Sequence, residues 1–589
     1  MQENIAGSVS SPQKPCLVQT PQGFSVSYQN RFLYSKYAPS RAISGAVQSL
    51  TILPGTLILA LSPALWLGLE ELLQKLPEDC FVLGIEADEN LHGFAQERLT
   101  ELKKSGTNLA LDKVALLPFY ENDFIVNILS GERPVEGLSI PHISTFRRSI
   151  PLEMSAGTQF CKEQYLALVS LAQNTVASFW KNRITLTKLG RLYSRNLFKN
   201  LANIPCTVDL RELAHKISQP IFVFGAGESI EETARNIPKA LLEKCFVIAV
   251  DAASPSLKAM EIKIDAIVAV EGQLAIEKAY IGGAAKSSLI IADITSRKAV
   301  TRHTQKSITY FASKYTDSIF FKHLTQKEFF PPTVPPLGSV GLTAVYIALL
   351  LRESVNVPVF VTGLDFSFSL GRTHAKNAPA HIARLSTANR LNPAENYGAA
   401  FRTGAKKILG KNNIPVFTDT ALEGYAKSFM DTFKGLPNLY DCGAQGIPLG
   451  IQQIASEKVK AYLETIKASS SSYRGTEGLG NLPSNENLLH FASTGENVTL
   501  TVREYLEAEE KALNRIKELL MFGKDVASCS CSLEDELESL IAPREYLFLH
   551  FPDGYKCQTN DLSFLKRVRG QIDFFLKDIK NSIAQDSGI

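Results

Sequence analysis

This 589-residue chain lacks an excess of either charge: 62 Lys and Arg stand against 59 Asp and Glu, for a formal net charge of +3. That balance excludes a dedicated nucleic-acid binder, which needs a basic stripe or a far higher isoelectric point. Paired cysteines are also missing. The nine cysteines are scattered; only Cys529 and Cys531 lie close, and a single C-x-C leaves a tetrahedral zinc site half built. The odd count, with no secretory signal, reads as reduced thiols in a cytoplasmic protein. The polar lead MQENIAGSVSSPQKP has no apolar core of a signal peptide. No transmembrane segment is expected either. Residues Ala42–Leu69 carry no charge, but Ser, Gly, Gln and Pro interrupt them, whereas a span needs about 20 predominantly apolar residues. Their central TLILALS reads instead as a strand buried on both faces. No tandem repeat of fixed period is present.

What is there is ordinary for a globular protein: 45% hydrophobic and 21% charged residues. The chain is too long for one core. Its patterning predicts an α/β protein of two Rossmann-like parallel-sheet domains with a helical C-terminal region. Residues 20–150 form the first domain, with strands at Leu57–Ser62 and Cys80–Glu86 around a helix at Ala64–Lys75. The second strand runs into Glu86 and Asp88. The first turn, SPALWLG, has no glycine fingerprint, so cofactor binding there has no support. Residues 151–215 form a helical bridge, with apolar positions recurring every three or four residues from Glu163 to Leu201. Residues 216–455 form the central domain. A helix and a polar Gly/Ser-rich linker follow over 456–498, then a helical region over 499–589 with helices at Val502–Phe522 and Phe564–Ser582.

In the central domain, strands at Pro220–Phe224, Phe246–Val250, Ala266–Val270, Ser288–Ala292 and Val357–Thr362 alternate with helices, as in a parallel sheet covered on both faces. Ligands of such sheets bind outside the carboxyl ends of the strands. Gly225, Gly227 and Ser229 form one strand-to-helix turn there, and Gly338 and Ser339 form a second turn before the helix Leu342–Arg352. Absent side chains and unpaired helix N–H groups suit a phosphate at both turns, although simple turn geometry also calls for glycine. Asp251, Glu271, Asp293 and Asp365 end strands, where carboxylates hydrogen-bond a ribose, hold Mg²⁺ with substrate phosphates, act as a base, or merely cap a helix. The segment GLDFSFSLGRTHA, Gly363–Ala375, presents Asp365, Arg372, Thr373 and His374 together. Arginine clamps phosphates or carboxylates, and histidine moves protons near neutral pH.

GLDFSFSLGRTHA resembles the signature of the motility accessory factor (Maf) family, whose members share a domain named for an archaeal 6-hydroxymethyl-7,8-dihydropterin pyrophosphokinase, MptE. IFVFGAGESI resembles the family's strand and glycine turn, with Glu228 in place of the usual proline. LGSVGLTAVYIAL resembles its helix start, with Leu337 and Gly341 as departures, and DCGAQGIPLG its closing segment. Asn182, Thr185, Asn196 and Asn200 fall on its helix pattern. The resemblance covers Tyr34 to Ala455. It implies a sialyltransferase-like central domain that transfers a nonulosonic sugar, such as pseudaminic or legionaminic acid, from a CMP-sugar to Ser or Thr of flagellin. Gly225, Gly227 and Ser229 would then face the nucleotide, Gly338 and Ser339 its phosphate or ribose, and Asp365, Thr373 and His374 the transfer site. His374 would protonate or stabilise the departing phosphate, with Asp365 or Asp251 as base. Glu228 sets an acid beside the phosphate turn, which conflicts with anion binding unless that side chain faces elsewhere.

Two other functions stay open. One is pyrophosphate transfer from ATP to a hydroxymethylpterin, with Mg²⁺ held by Asp251 and Asp365. The other is a non-catalytic factor associated with flagellin or another surface protein.

Overall fold

The computed structural model of the chain describes residues 14–104, 110–118, 124–129, 139–316, 318–393, 404–466, 501–522 and 531–586. The Gly/Ser-rich linker and Cys529 lie outside them, as does the side chain of Cys531. Two compact units result, Met1–Thr185 and Leu186–Ile589.

The first unit is built on β4 (Thr56–Leu61), whose six residues are all buried. That burial explains the apolar run without alternation. β4 pairs in parallel with β5 (Phe81–Ile85) on one side and β7 (Arg148–Glu153) on the other, and β6 (Val114–Leu116) completes the order β6-β5-β4-β7. A small antiparallel sheet precedes it: β1 (Cys16–Thr20), β2 (Gly23–Tyr28) and β3 (Arg31–Phe32). The polar lead gave no sign of these strands.

The helix expected from Ala64 starts only at Leu69. Ser62, Ala64 and Trp66 instead take left-handed backbone conformations, with φ of +48°, +38° and +56°. Such angles are costly for residues with a Cβ. Here they turn the Trp66 indole inward, where its N–H donates to Ala95 O at 3.0 Å and its ring lies against Gly84.

The second unit holds nine strands in one wholly parallel sheet. In chain order they are β8 (Ile221–Phe224), β9 (Phe246–Val250), β10 (Ala266–Ala269), β11 (Leu289–Asp293), β12 (Ile308–Ser313), β13 (Thr333–Val334), β14 (Val359–Thr362), β17 (Leu439–Asp441) and β18 (Gln452–Gln453). Their spatial order is β13-β12-β11-β10-β9-β8-β14-β17-β18. The chain runs outward from β8 to β13, then crosses back to lay β14 on the other side of β8. The topological switch point therefore falls between β8 and β14. A separate hairpin, β15 (Lys406–Leu409) and β16 (Pro415–Thr418), is inserted after the switch.

Strand residues alternate between two cores. Phe222, Phe224, Val247, Ala249 and Ile267 face a cluster that includes Phe198 of the long helix Lys162–Leu201 and Leu513, Ile516, Phe564 and Phe575 from the C-terminal helices. Ile221, Val223, Ile248, Val250 and Val268 face the helix Val340–Leu351 together with Phe429 and Phe433. The C-terminal helices Val502–Phe522 and Leu562–Asp586 are thus one cover of the sheet. Buried Asp578 holds the second of them to Arg195 at 2.5 Å and Lys199 at 3.4 Å. Among the described residues no helix is long and apolar enough to cross a membrane, and the described cysteines, Cys16 to Cys557, are free.

Candidate functional site

Pairing of β8 with β14 aligns Phe224 with Thr362, so the turns that follow, Gly225 and Gly363, meet. Gly225 N donates to Thr362 O and Gly227 N to Gly363 O, each at 2.8 Å. A Cβ on Gly363 would come within 2.6 Å of Gly225 O, closer than any real side chain approaches. Gly363 also has a φ of +73°. These glycines are required by backbone packing at the switch point.

The helix that follows, Ser229–Asn236, already has an anion at its N-terminus. Asp365 Oδ2 accepts from Ser229 N at 3.0 Å, and Oδ1 from Ser229 Oγ at 2.5 Å. A Cβ on Gly227 would stand 2.5 Å from Asp365 Oδ2. Residues expected to face a nucleotide thus hold the protein's own carboxylate, where the dipole and unpaired N–H groups stabilise it. Burial pushes the Asp365 carboxyl up to about 6, opposed by the Ser229 bonds and the nearby Lys411 charge. Both Asp365 oxygens accept from Ser229. Asp251, its expected Mg²⁺ partner, gives Oδ1 to Ala252 N at 2.7 Å. Among the described residues no three His, Cys, Asp or Glu gather as metal ligands.

Glu228 resolves its own conflict by turning to the signature segment. Its Oε1 accepts from Ser369 N at 3.0 Å and from Ser369 Oγ at 2.5 Å. Arg372, expected to clamp a phosphate, is held between Glu231 and Glu228, the latter at 3.8 Å. Lys376 N adds a bond to Glu231, and Ala375 N one to Ala226 O, both at 2.9 Å. The segment is thereby fastened along the first turn of the Ser229 helix.

Thr373 and His374 remain at its end, part-buried, with His374 Nδ1 3.0 Å from Thr373 Oγ1. Burial holds the His374 imidazole below its usual protonation range, and neighbouring His381 adds to this. His381 is 8% exposed with Nδ1 unpartnered. It lies on the helix Pro379–Leu385, which packs against the turn Leu274–Ala279 beyond β10.

The other expected residues gather on the β9–β10 side. Asp251 is buried, its Oδ2 has no hydrogen-bond partner, and its carboxyl is pushed up to about 7 by burial and then by the Glu271 charge. Glu271 accepts from Gln273 N at 2.8 Å. Tyr193 is pushed up to about 12 by burial, then by Glu271, Asp293 and Tyr425. Gly338 is exposed with a φ of +73°; a Cβ there would meet nothing closer than the Tyr425 ring at 3.5 Å. Ser339 caps the Val340 helix by accepting from Gly341 N at 3.3 Å. Of the two glycine turns, this one is open. No hydrogen bond among the described residues joins His374 to Asp251 or Asp365.

Asp293 is structural: it accepts from Thr295 N, Thr295 Oγ1 and Ser313 N, tying β11 to β12. Asn196 Nδ2 donates to Gly272 O and Thr295 O, and Asn200 Nδ2 to Ile294 O and Ser296 O, all near 3 Å. These buried amides fix the loops after β10 and β11 from the long helix.

Residues 195–371 match the family model described as 6-hydroxymethylpterin diphosphokinase MptE-like. An uncharacterized protein of Treponema pallidum (strain Nichols) is 30% identical over 581 residues, covering 97% of this chain and 96% of its own. The chain belongs to the MptE-like family. The solved structure of MAf glycosyltransferase from Magnetospirillum magneticum AMB-1 aligns with this MptE-like protein over 98% of its length and 91% of the other's, with a TM-score of 0.49 and 12% identity.

The family match in this MptE-like chain takes in both glycine turns, Asp251, Glu271 and Asp365 but stops one residue short of Arg372. Sequence reasoning missed His381, Tyr193, Tyr425 and Lys411. Lys411 sits at the hairpin tip between β15 and β16 and forms an ion pair of 2.6 Å with Asp441 at the end of β17. No local pattern announces a lysine that is buried only when a hairpin folds back over a sheet.

Proposed function

We propose that this MptE-like protein is a Maf-like glycosyltransferase of the cytoplasm, moving a nonulosonic sugar from its CMP donor to Ser or Thr of flagellin or another surface protein. The observation that carries the reading is the anchored Gly363–Ala375 segment. Glu228, Glu231 and Ser229 consume its Asp365, Ser369 and Arg372, leaving Thr373 and His374 as its uncommitted end. The open Gly338–Ser339 turn, at the N-terminus of a twelve-residue helix, is the one suited to the donor phosphate.

Burial favours neutral His374, so its proposed role shifts from phosphate protonation to proton acceptance. The acceptor hydroxyl oxygen forms the new bond to the anomeric carbon. The bond from that carbon to the phosphate oxygen breaks with its electron pair, CMP departs, and the hydroxyl proton passes to His374 Nε2. In this reading Asp251 and Glu271, just beyond the neighbouring strands β9 and β10, read donor hydroxyls.

The name of the family model favours a second reading, ATP-dependent pyrophosphorylation of a hydroxymethylpterin. The commitment of Asp365 to Ser229 weighs against its metal site. Incubating the protein with CMP-nonulosonate plus flagellin, or with ATP, Mg²⁺ and hydroxymethylpterin, separates the two by product analysis. CMP release with glycosylated flagellin supports transfer, pterin diphosphate overturns it, and neither product leaves the non-catalytic accessory role. His374→Gln should slow transfer by about 10²-fold or more; an unchanged rate removes His374 from the mechanism.

A further inference from the structure

On the far side of β14 from the Gly225 turn, the carboxyl end of β17 floors a cavity of about 370 Å³, within the range of small-molecule sites. Lys411, Asn412, Asp441 and Gln453 stand in its lining. The floor is an ion pair: Lys411 Nζ lies 2.6 Å from Asp441 Oδ2, with the two side chains 3% and 4% exposed. Asp441 Oδ1 accepts from Gly443 N at 3.0 Å. An ammonium has three hydrogens to donate, and the ion pair with Asp441 takes up one of them. Desolvating such a pair costs more than its attraction returns unless the remaining donors are met. Stability alone therefore does not account for it.

We propose that this cavity binds a small neutral polyhydroxylated ligand, a sugar or cyclitol, one of whose hydroxyls accepts from Lys411 while donating to Asp441. A hydroxyl is both donor and acceptor at one atom, which matches an ammonium and a carboxylate held side by side. An oxyanion is the poorer match. Lys411 is the lone cation of the lining, and it already serves Asp441 and supports the charge on nearby Asp365. No aromatic ring lines the cavity to stack a nucleobase. Asn412 spends Nδ2 on Ala444 O at 2.8 Å, which keeps its Oδ1 as a further acceptor for hydroxyl groups. The inference is independent of the transferase reading, since the residues proposed for transfer lie outside this lining.

Saturation-transfer NMR on the full chain tests it, with myo-inositol, glucose and N-acetylglucosamine as probes and inorganic phosphate as the charged control. At least one neutral probe should bind saturably without competition from phosphate. Lys411→Met should weaken that binding about tenfold or more, and Asn412→Ala should weaken it measurably. Should the Lys411 variant fail to fold, Asn412→Ala and Gln453→Ala at the rim decide the matter. The proposal is overturned if no neutral probe saturates, if phosphate displaces the one that does, or if the folded variants bind as wild type.

Discussion

Asp365 caps the helix that begins at Ser229, accepting from its backbone N–H at 3.0 Å and its hydroxyl at 2.5 Å. Ser229 Oγ in turn accepts from Gly363 N at 2.9 Å, so one serine ties β14's exit to the helix after β8. The helix end that could receive a ligand anion is closed by this relationship.

Removing the carboxylate should cost stability rather than turnover alone. Asp365→Ala leaves Ser229 N buried without an acceptor and Ser229 Oγ with only the longer contact to Thr362 Oγ1 at 3.4 Å, an expected loss of roughly 2–4 kcal/mol. Asp365→Asn keeps one acceptor and should lose less. Denaturant unfolding followed by far-UV circular dichroism checks both; an Ala variant within about 0.5 kcal/mol of wild type would contradict the assignment.

Glycine at the switch point should be far less replaceable than glycine in a helix. Gly225→Ala would drive a methyl into the Gly363 backbone, whereas a Cβ on Gly424, inside the helix Thr420–Phe433, meets nothing within 4 Å. The first should destabilise by about 2 kcal/mol or more, and the second should be neutral or stabilise by up to about 1 kcal/mol. Equal thermal midpoints for the two variants would dismiss the close-packing account.

Arg372 should behave as an anchor of the signature segment. Arg372→Ala frees Glu228 and Glu231 and should accelerate amide exchange across Gly363–Ala375, with a stability loss of about 1–3 kcal/mol. Lysine should restore only part of it, since it lacks the planar fork. Unchanged exchange in the Ala variant would show that the segment is held otherwise.

The first unit should carry a pH dependence of its own. Glu86, buried at the end of β5, accepts from Tyr165 OH, from Asp88 N at 3.2 Å and from Ser62 Oγ at 2.8 Å. Burial outweighs these bonds and pushes its carboxyl from 4.5 up to about 7. The folded state therefore keeps a proton that the unfolded state has released, so this contribution is full below about pH 4.5 and is lost as pH rises through about 7. Both tryptophans of the chain, Trp66 and Trp180, fall within Met1–Thr185, so intrinsic fluorescence reports this unit selectively. Its thermal midpoint should fall between pH 5 and 8 in the wild type and fall less in Glu86→Gln. Parallel profiles would mean that another group sets the dependence.

Much of the central sheet was legible because its strands are buried on both faces and therefore stand out as apolar runs. β9 was read at its observed limits, and β8, β10, β11 and β14 within two residues. The helix Val502–Phe522 was also read at its observed limits. Strands β13, β17 and β18 escaped because they are only two or three residues long; β12 and the helix Cys531–Ile541 escaped as well. The turn after β4 was misread as helix because left-handed Ser62, Ala64 and Trp66 contradict local preference and are imposed by burying Trp66.

By itself the sequence determined the parallel α/β class, the position of both glycine turns and the type of residue at the strand ends. These follow from local periodicity and from backbone space that only glycine leaves. Tertiary structure decided which of those residues are spent. Strand order placed β14 beside β8, and that adjacency brought Asp365 to Ser229 and Arg372 to the helix-start acids, while the β15–β16 hairpin folding back over the sheet brought Lys411 to Asp441 at the end of β17. Partners so far apart in sequence are fixed by sheet topology, which no local pattern of charge or hydrophobicity encodes.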